Sequence, residues 1–167
     1  MKKLVIALIA LALLSGTAFA QDKEEKGPTY VGDNATKCKM CHSEQVKIWS
    51  ALKLAKAWDS LSADEQAKSD CFKCHVTGYG KPGGFTSLKD TPKLVGVQCE
   101  ACHGPASDHM KAPITDKAKK KATIKRPGKD VCLTCHNKDF PNFKGFDYDK
   151  MKPLIKHWKD EHDAHSH

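Results

Sequence analysis

The chain of 167 residues contains eight cysteines and nine histidines, and every cysteine belongs to a pair that a histidine follows at once. The four copies are Cys38-Lys39-Met40-Cys41-His42, Cys71-Phe72-Lys73-Cys74-His75, Cys99-Glu100-Ala101-Cys102-His103 and Cys132-Leu133-Thr134-Cys135-His136. Two thiols three residues apart on a helical turn share a face with the residue after the second. Such a face offers sulfur to both vinyl groups on one porphyrin edge and an imidazole to the iron. Cys-x-x-Cys-His is the attachment signature of c-type haem. The pattern therefore implies four covalently attached haem c groups, each held by its motif's two thiols, with His42, His75, His103 and His136 on the irons.

Other uses of paired cysteines leave the histidines idle. Disulfides suit an exported chain, and four thiolates suit zinc, but neither needs histidine after every pair. A redox dithiol uses one Cys-x-x-Cys in a βαβ setting. No cysteine is left over for any of these.

The elements that must position the motifs begin with an export signal. Lys2 and Lys3 precede an apolar run from Leu4 to Leu14, and Ala18-Phe19-Ala20 precedes Gln21, which is the layout of a cleaved signal peptide over residues 1–20. The run is too short for a retained span, and no later segment is apolar enough to cross a membrane. Cleavage after Ala20 leaves a periplasmic or extracellular chain. Residues 21–167 are expected to form one domain, ordered over 29–161, with a flexible histidine-rich tail at 162–167. Aromatics make up only 7% of the chain, so an ordinary side-chain core would be thin.

Val46, Trp49 and Leu52, continued by Leu54, Trp58 and Leu61, predict a helix over 43–61. Ser62-Ala63-Asp64-Glu65 is a capping box that opens a second helix toward Cys71. Gly78–Gly84 reads as a glycine-rich loop, 111–129 as a basic loop with a short helix, and 151–161 as a last helix with Pro153 in its first turn. Strand signals are weak. The expected fold is mainly α with little β. A body of this length has a radius of gyration of only ~15 Å, so four macrocycles within it must lie close together.

The sequence resembles the multihaem tetrahaem cytochrome c-554 family over nearly all of the mature chain. The matching pieces are Tyr30-Val31-Gly32, Trp49 with Ala55-Lys56-Ala57, His75-Val76-Thr77-Gly78-Tyr79-Gly80, and Gly83-Gly84-Phe85. They continue with Gly96-Val97-Gln98-Cys99-Glu100-Ala101-Cys102-His103-Gly104-Pro105 and Phe146-Asp147 leading to His157. The resemblance implies a helical fold with haems stacked in close pairs and a role in electron shuttling. It also implies His109 as the distal ligand opposite His42, His157 opposite His103, and no distal ligand opposite His75. Where the family carries the histidine for the haem on His136, this chain has Leu54. That iron is then five-coordinate or takes another ligand, from His162, His165, His167, Lys53, Met110 or Met151. As a plain side chain, Leu54 is a helix core residue.

Gly78-Tyr79-Gly80-Lys81-Pro82-Gly83 satisfies a dinucleotide-binding pattern without the strand, helix and βαβ unit that give it meaning. The run Lys117, Lys119, Lys120, Lys121, Lys125, Arg126 lacks the interleaved aromatics of a nucleic-acid surface. It reads either as a solvated loop or as a docking patch for an acidic redox partner. Two functions remain: electron transfer between redox partner proteins, or a haem enzyme or sensor binding a small ligand such as nitric oxide at a five-coordinate iron. No residue declares itself as the acid–base group that catalysis beside an iron would use, which favours the carrier.

Overall fold

The computed structural model describes residues 27–140 and 143–157. The expected signal peptide at 1–20, the end of the expected last helix at 158–161, and the tail with His162, His165 and His167 lie outside the described residues. The described elements are short helices: α1 (Ser43–Ser50), α2 (Ala63–Gln66), α3 (Ser69–His75), α4 (Cys99–His103), α5 (Ser107–Lys111), α6 (Lys117–Ala122), α7 (Lys129–Leu133) and α8 (Tyr148–Met151). Single turns of 3-10 helix occur at Cys38–Met40, Lys53–Lys56, Pro92–Leu94 and Lys152–Ile155. The β contribution among the described residues is one antiparallel bridge between Val76 and Val95.

Around that bridge lies the small apolar core. Val76, Phe85 and Leu94 are buried, and Tyr30, Trp58, Phe72, Tyr79 and Val95 pack on them. Thr77, wholly buried, ties the core's strands of chain together. Its N–H donates to Leu94 O at 2.8 Å and its carbonyl accepts from Phe85 N–H at 3.1 Å. Its hydroxyl donates to Gly96 O at 2.7 Å and accepts from Gln98 N–H at 3.0 Å. The loop from Gly78 to Gly84 folds back at this point. Gly78 has φ +76°, and a Cβ there would meet the Tyr30 ring at 2.8 Å. The glycine therefore serves a close approach to Tyr30.

The N-terminal stretch from Thr29 to Asn34 is held by side chains far along the chain. Thr29 N–H donates to Ser107 Oγ at 2.8 Å, and Asn34 N–H to Gln98 Oε1 at 3.3 Å. Between them the buried Glu100 carboxylate accepts from Val31 N–H at 2.9 Å, Gly32 N–H at 2.7 Å and Ala106 N–H at 2.7 Å. Charge-assisted bonds of this kind are among the stronger ones. They fasten the stretch before the first motif onto the helix that carries the third.

Three expected helices differ in extent. The apolar spacing over 43–61 is not one helix: Leu52 is extended (φ −77°, ψ 150°) between α1 and the turn Lys53–Lys56. The break carries the Ala57 carbonyl to the His75 ring and Trp58 onto Phe72, contacts that a straight helix could not make together. The helix opened by Ser62 has its capping box but stops at Gln66, because Lys68 is extended before α3 starts. The last expected helix starts earlier, at Tyr148, where the Asp147 carboxylate accepts from the N–H groups of Asp149 and Lys150. It tightens to 3-10 at Lys152–Ile155, with Pro153 in the first turn of that stretch.

Candidate functional site

Each attachment motif is one helical turn. Cys71–His75 closes α3, and Cys99–His103 is the whole of α4. The first and fourth motifs wind in the same sense, with His42 N–H donating to Cys38 O and His136 N–H to Cys132 O, both at 2.9 Å. Each turn thus presents two thiols and an imidazole on one side.

The motifs meet in twos. A hydrogen bond with the Cys99 thiol holds Cys38 below the usual thiol range, and the same bond, with burial, pushes Cys99 above it. Cys74 is pushed up by its hydrogen bond with Cys135 and by burial, while Cys135 is lowered to about 7 by that bond. Burial first, then Cys132 and Cys135, pushes Cys102 up to about 11. The first motif therefore adjoins the third, where Asn34 N–H also donates to Gln98 Oε1, and the second adjoins the fourth, where Cys135 Sγ lies 3.5 Å from Lys73 O. No disulfide joins any of the eight cysteines, and no cluster of three or more His, Cys, Asp or Glu able to hold a metal ion occurs among the described residues.

The histidines separate into two groups. His42 and His109 bring their ring centroids to 6.2 Å with 23° between planes. His103 and His157 bring theirs to 6.0 Å at 88°. Four rings are oriented by backbone carbonyls at Nδ1: His75 by Ala57 O at 2.6 Å, His103 by Lys125 O at 2.8 Å, His109 by Lys120 O at 2.9 Å and His157 by Ile155 O at 2.9 Å. A carbonyl accepts only if Nδ1 carries the proton, which leaves the Nε2 lone pair for a metal. His136 instead lays its ring against Phe146, with centroids 4.6 Å apart and 14° between planes. Neither His75 nor His136 faces a second imidazole among the described residues. Leu54 lies half-buried in the turn Lys53–Lys56, Lys53 is exposed, and Met110 and Met151 are 38% and 40% exposed.

This donor set fits haem iron. Two imidazoles trans on one metal, with bonds of about 2 Å and about 1.1 Å from nitrogen to centroid, have centroids about 6.3 Å apart. The observed 6.2 and 6.0 Å agree. In addition, the Asn34 amide Nδ2 is buried with no partner among the described residues, in a cleft shared with Trp49, Ala55, Gly96 and Val97. A buried donor left without an acceptor costs about 1–3 kcal/mol, so the chain leaves this donor for an acceptor other than its own.

The residue pattern in the sequence does not reveal the supporting groups. Glu100 sits at a variable position of the third motif, and its burial depends on Val31 and Gly32 coming from far away. The carbonyls of Ala57, Lys120 and Lys125 carry no side-chain signal at all. Phe146 is visible only as part of the Phe146-Asp147 piece.

One-turn attachment motifs on a helical chain, with imidazoles paired at iron-spanning distance, define a multihaem c-type cytochrome. The family described as cytochrome c554 and c-prime matches residues 37–104. Cytochrome c-554 of Nitrosomonas europaea is 32% identical over 164 residues, covering 79% of this chain and 66% of that protein. The multiheme cytochrome MtrA of Shewanella baltica is 28% identical over 121 residues, which are 71% of this chain and 28% of that protein. The solved structure of reduced cytochrome c554 from Nitrosomonas europaea shares the fold, with a TM-score of 0.53 over 83% of each chain at 23% identity. The chain spans 66% of the first relative's length and 28% of the second's. It belongs to the cytochrome c-554 family, and its cofactor is covalently bound haem c.

Proposed function

We propose that this chain is an exported electron-transfer protein that carries four haems and exchanges electrons with redox partner proteins. The observation that carries the reading is the pairing of His42 with His109 and of His103 with His157 at 6.2 and 6.0 Å. Imidazole on both sides of an iron closes it to substrates and leaves one-electron exchange as its chemistry. The chain's own part is to hold these rings: Lys120 O, Lys125 O and Ile155 O orient His109, His103 and His157. The adjoining motifs, first with third and second with fourth, support haems stacked in two close pairs. Cleavage after Ala20 and a periplasmic or extracellular site, with 21–167 as one domain, complete the proposal. No helix among the described residues is long and apolar enough to cross a membrane.

Small-ligand binding is the second reading, and His75 and His136 favour it. Each lacks a facing imidazole among the described residues, and the turn holding Leu54 leads into Ala57, whose carbonyl orients His75. In this reading Leu54 stands where a ligand to the fourth iron would be, and both irons accept nitric oxide or carbon monoxide. Spectra of the reduced holo-protein with and without carbon monoxide test both readings. The expected result is two ligand-reactive irons and two inert ones. Four inert irons would refute the assignments of Leu54 and His75, while rapid catalytic turnover of nitric oxide would replace the carrier with an enzyme. Leu54→His is expected to convert one reactive iron to an inert, low-spin one.

A further inference from the structure

The segment from Lys117 to Arg126 does two things at once. On its inner side, the Lys120 carbonyl accepts from His109 Nδ1 at 2.9 Å, and the Lys120 ammonium donates to His109 O at 2.6 Å. The Lys125 carbonyl accepts from His103 Nδ1 at 2.8 Å, and Lys125 N–H donates to His103 O at 3.0 Å. One short stretch of backbone therefore orients imidazoles that belong to two different irons. On its outer side it exposes Lys117, Lys119, Lys121, Lys125 and Arg126. None of these five carries an ion pair among the described residues; the ion pairs there join Lys111 to Asp108 and Lys150 to Asp147.

Helix stability does not explain that charge. Lys117 opens α6, where the helix macrodipole disfavours a cation, although Lys119 and Lys121 fall in its last turn, where a cation is favoured. Lys117 and Lys121 form a like-charge pair at i,i+4, which is destabilising. The cost is partly offset by Asp116, whose carboxylate caps the helix by accepting from Lys119 N–H at 2.9 Å. Cations gathered at a local cost, one hydrogen bond from two iron-binding imidazoles, suit recognition of an anionic surface.

We propose that the exposed face of Lys117–Arg126 is the docking surface for an acidic redox protein, and that electrons cross there to or from the irons of His109 and His103. The proposal rests on the electron-transfer reading. Electron transfer weakens steeply with distance, so a partner seated on this face exchanges with those irons before the irons of His75 and His136. Lys120 belongs to the positioning machinery and is left unaltered in the test.

The test uses the haem-loaded protein with a strongly acidic flavodoxin as surrogate partner. Stopped-flow reduction is compared for wild type, for Lys117→Glu/Lys119→Glu/Lys121→Glu, and for Lys47→Glu/Lys81→Glu/Lys89→Glu, which makes the same change in net charge elsewhere. At low salt the first triple variant is expected to slow about tenfold or more and the second far less, with the gap closing at about 0.5 M salt. Carbodiimide cross-linking to flavodoxin carboxylates, mapped by mass spectrometry, is expected at Lys117, Lys119, Lys121 and Lys125. Equal slowing in both variants, cross-links elsewhere, or a loss confined to binding of anionic phospholipid vesicles would overturn the proposal. A wild-type protein that dithionite reduces but ferricyanide does not reoxidise would remove the carrier reading itself, and the docking proposal with it.

Discussion

Glu100 is an acidic side chain at 2% exposure within an attachment motif, and its stability follows from three backbone N–H partners rather than a cation. In Glu100→Gln the amide keeps one acceptor oxygen but turns an NH2 toward a backbone donor. A buried donor facing a donor costs about 2–3 kcal/mol, so thermal unfolding of the holo-protein is expected at lower temperature while the haem content stays at four. An unchanged midpoint would show that the carboxylate is dispensable. The imidazole pairs carry a second prediction at this scale. If each pair holds an iron as proposed, planes at 23° on His42 and His109 would split the iron d orbitals unequally, whereas planes at 88° on His103 and His157 would leave two of them nearly degenerate. Electron paramagnetic resonance of the oxidised protein should then show an ordinary rhombic low-spin signal and a strongly anisotropic one. His157→Ala should abolish the second and leave the first.

At the scale of elements, helices in this chain are cut to the length of a motif or a turn. α4 is five residues long, below the length at which a helix is stable by itself, and it persists because Glu100 and Gln98 tie it to the chain near residue 31. The capping box at Ser62 is the best local signal in the sequence, and it survives intact. Ser62 Oγ accepts from Glu65 N–H at 3.4 Å, and the Glu65 carboxylate accepts from Ser62 N–H at 2.8 Å. These Ser62 bonds hold the Glu65 carboxyl below its ordinary value of 4.5. A carboxylate with a depressed folded value adds stability that is full well above pH 4.5 and is lost as pH falls through the lowered value. Ser62→Ala keeps the N–H bond of residue 62 to Glu65 and loses the hydroxyl bonds, so it should cost about 1 kcal/mol near neutrality and lessen, without abolishing, the pH dependence of stability below pH 4.5. Parallel pH profiles for the two proteins would contradict the cap's role. The apolar spacing over 43–61 was legible as a buried face but not as two pieces, since the break at Leu52 answers to His75 and Phe72 and to nothing nearby.

For the whole molecule, the side-chain core is small. The buried apolar residues among those described are Val46, Val76, Phe85, Leu94, Val97, Ala106 and Ala112, while Met40, Ile114 and Leu154 are 68%, 76% and 63% exposed. A core of that size does not outweigh the ordering entropy of a chain this long. Covalent haem on four motifs that adjoin in pairs would supply the missing apolar interior. The chain with its eight motif cysteines changed to serine is therefore expected to be largely unfolded by circular dichroism, without a cooperative thermal transition. A cooperative transition in that variant would mean that the protein alone suffices.

The sequence by itself determined the cofactor, its number and its mode of attachment, because thiol and imidazole chemistry is written in residue type and spacing within a single turn. It also carried the helical class, the capping box and, through family resemblance, the candidate partners His109 and His157. Tertiary structure alone decided which motifs adjoin, which carbonyls orient the imidazoles of His75, His103, His109 and His157, and that Glu100 joins the third motif to the stretch before the first. Those outcomes depend on backbone groups, which every residue shares, and on contacts between residues some seventy positions apart, such as Val31 with Glu100. The Cys-x-x-Cys-His turns say that irons are held; only the packing around them says which of their imidazoles face a second one.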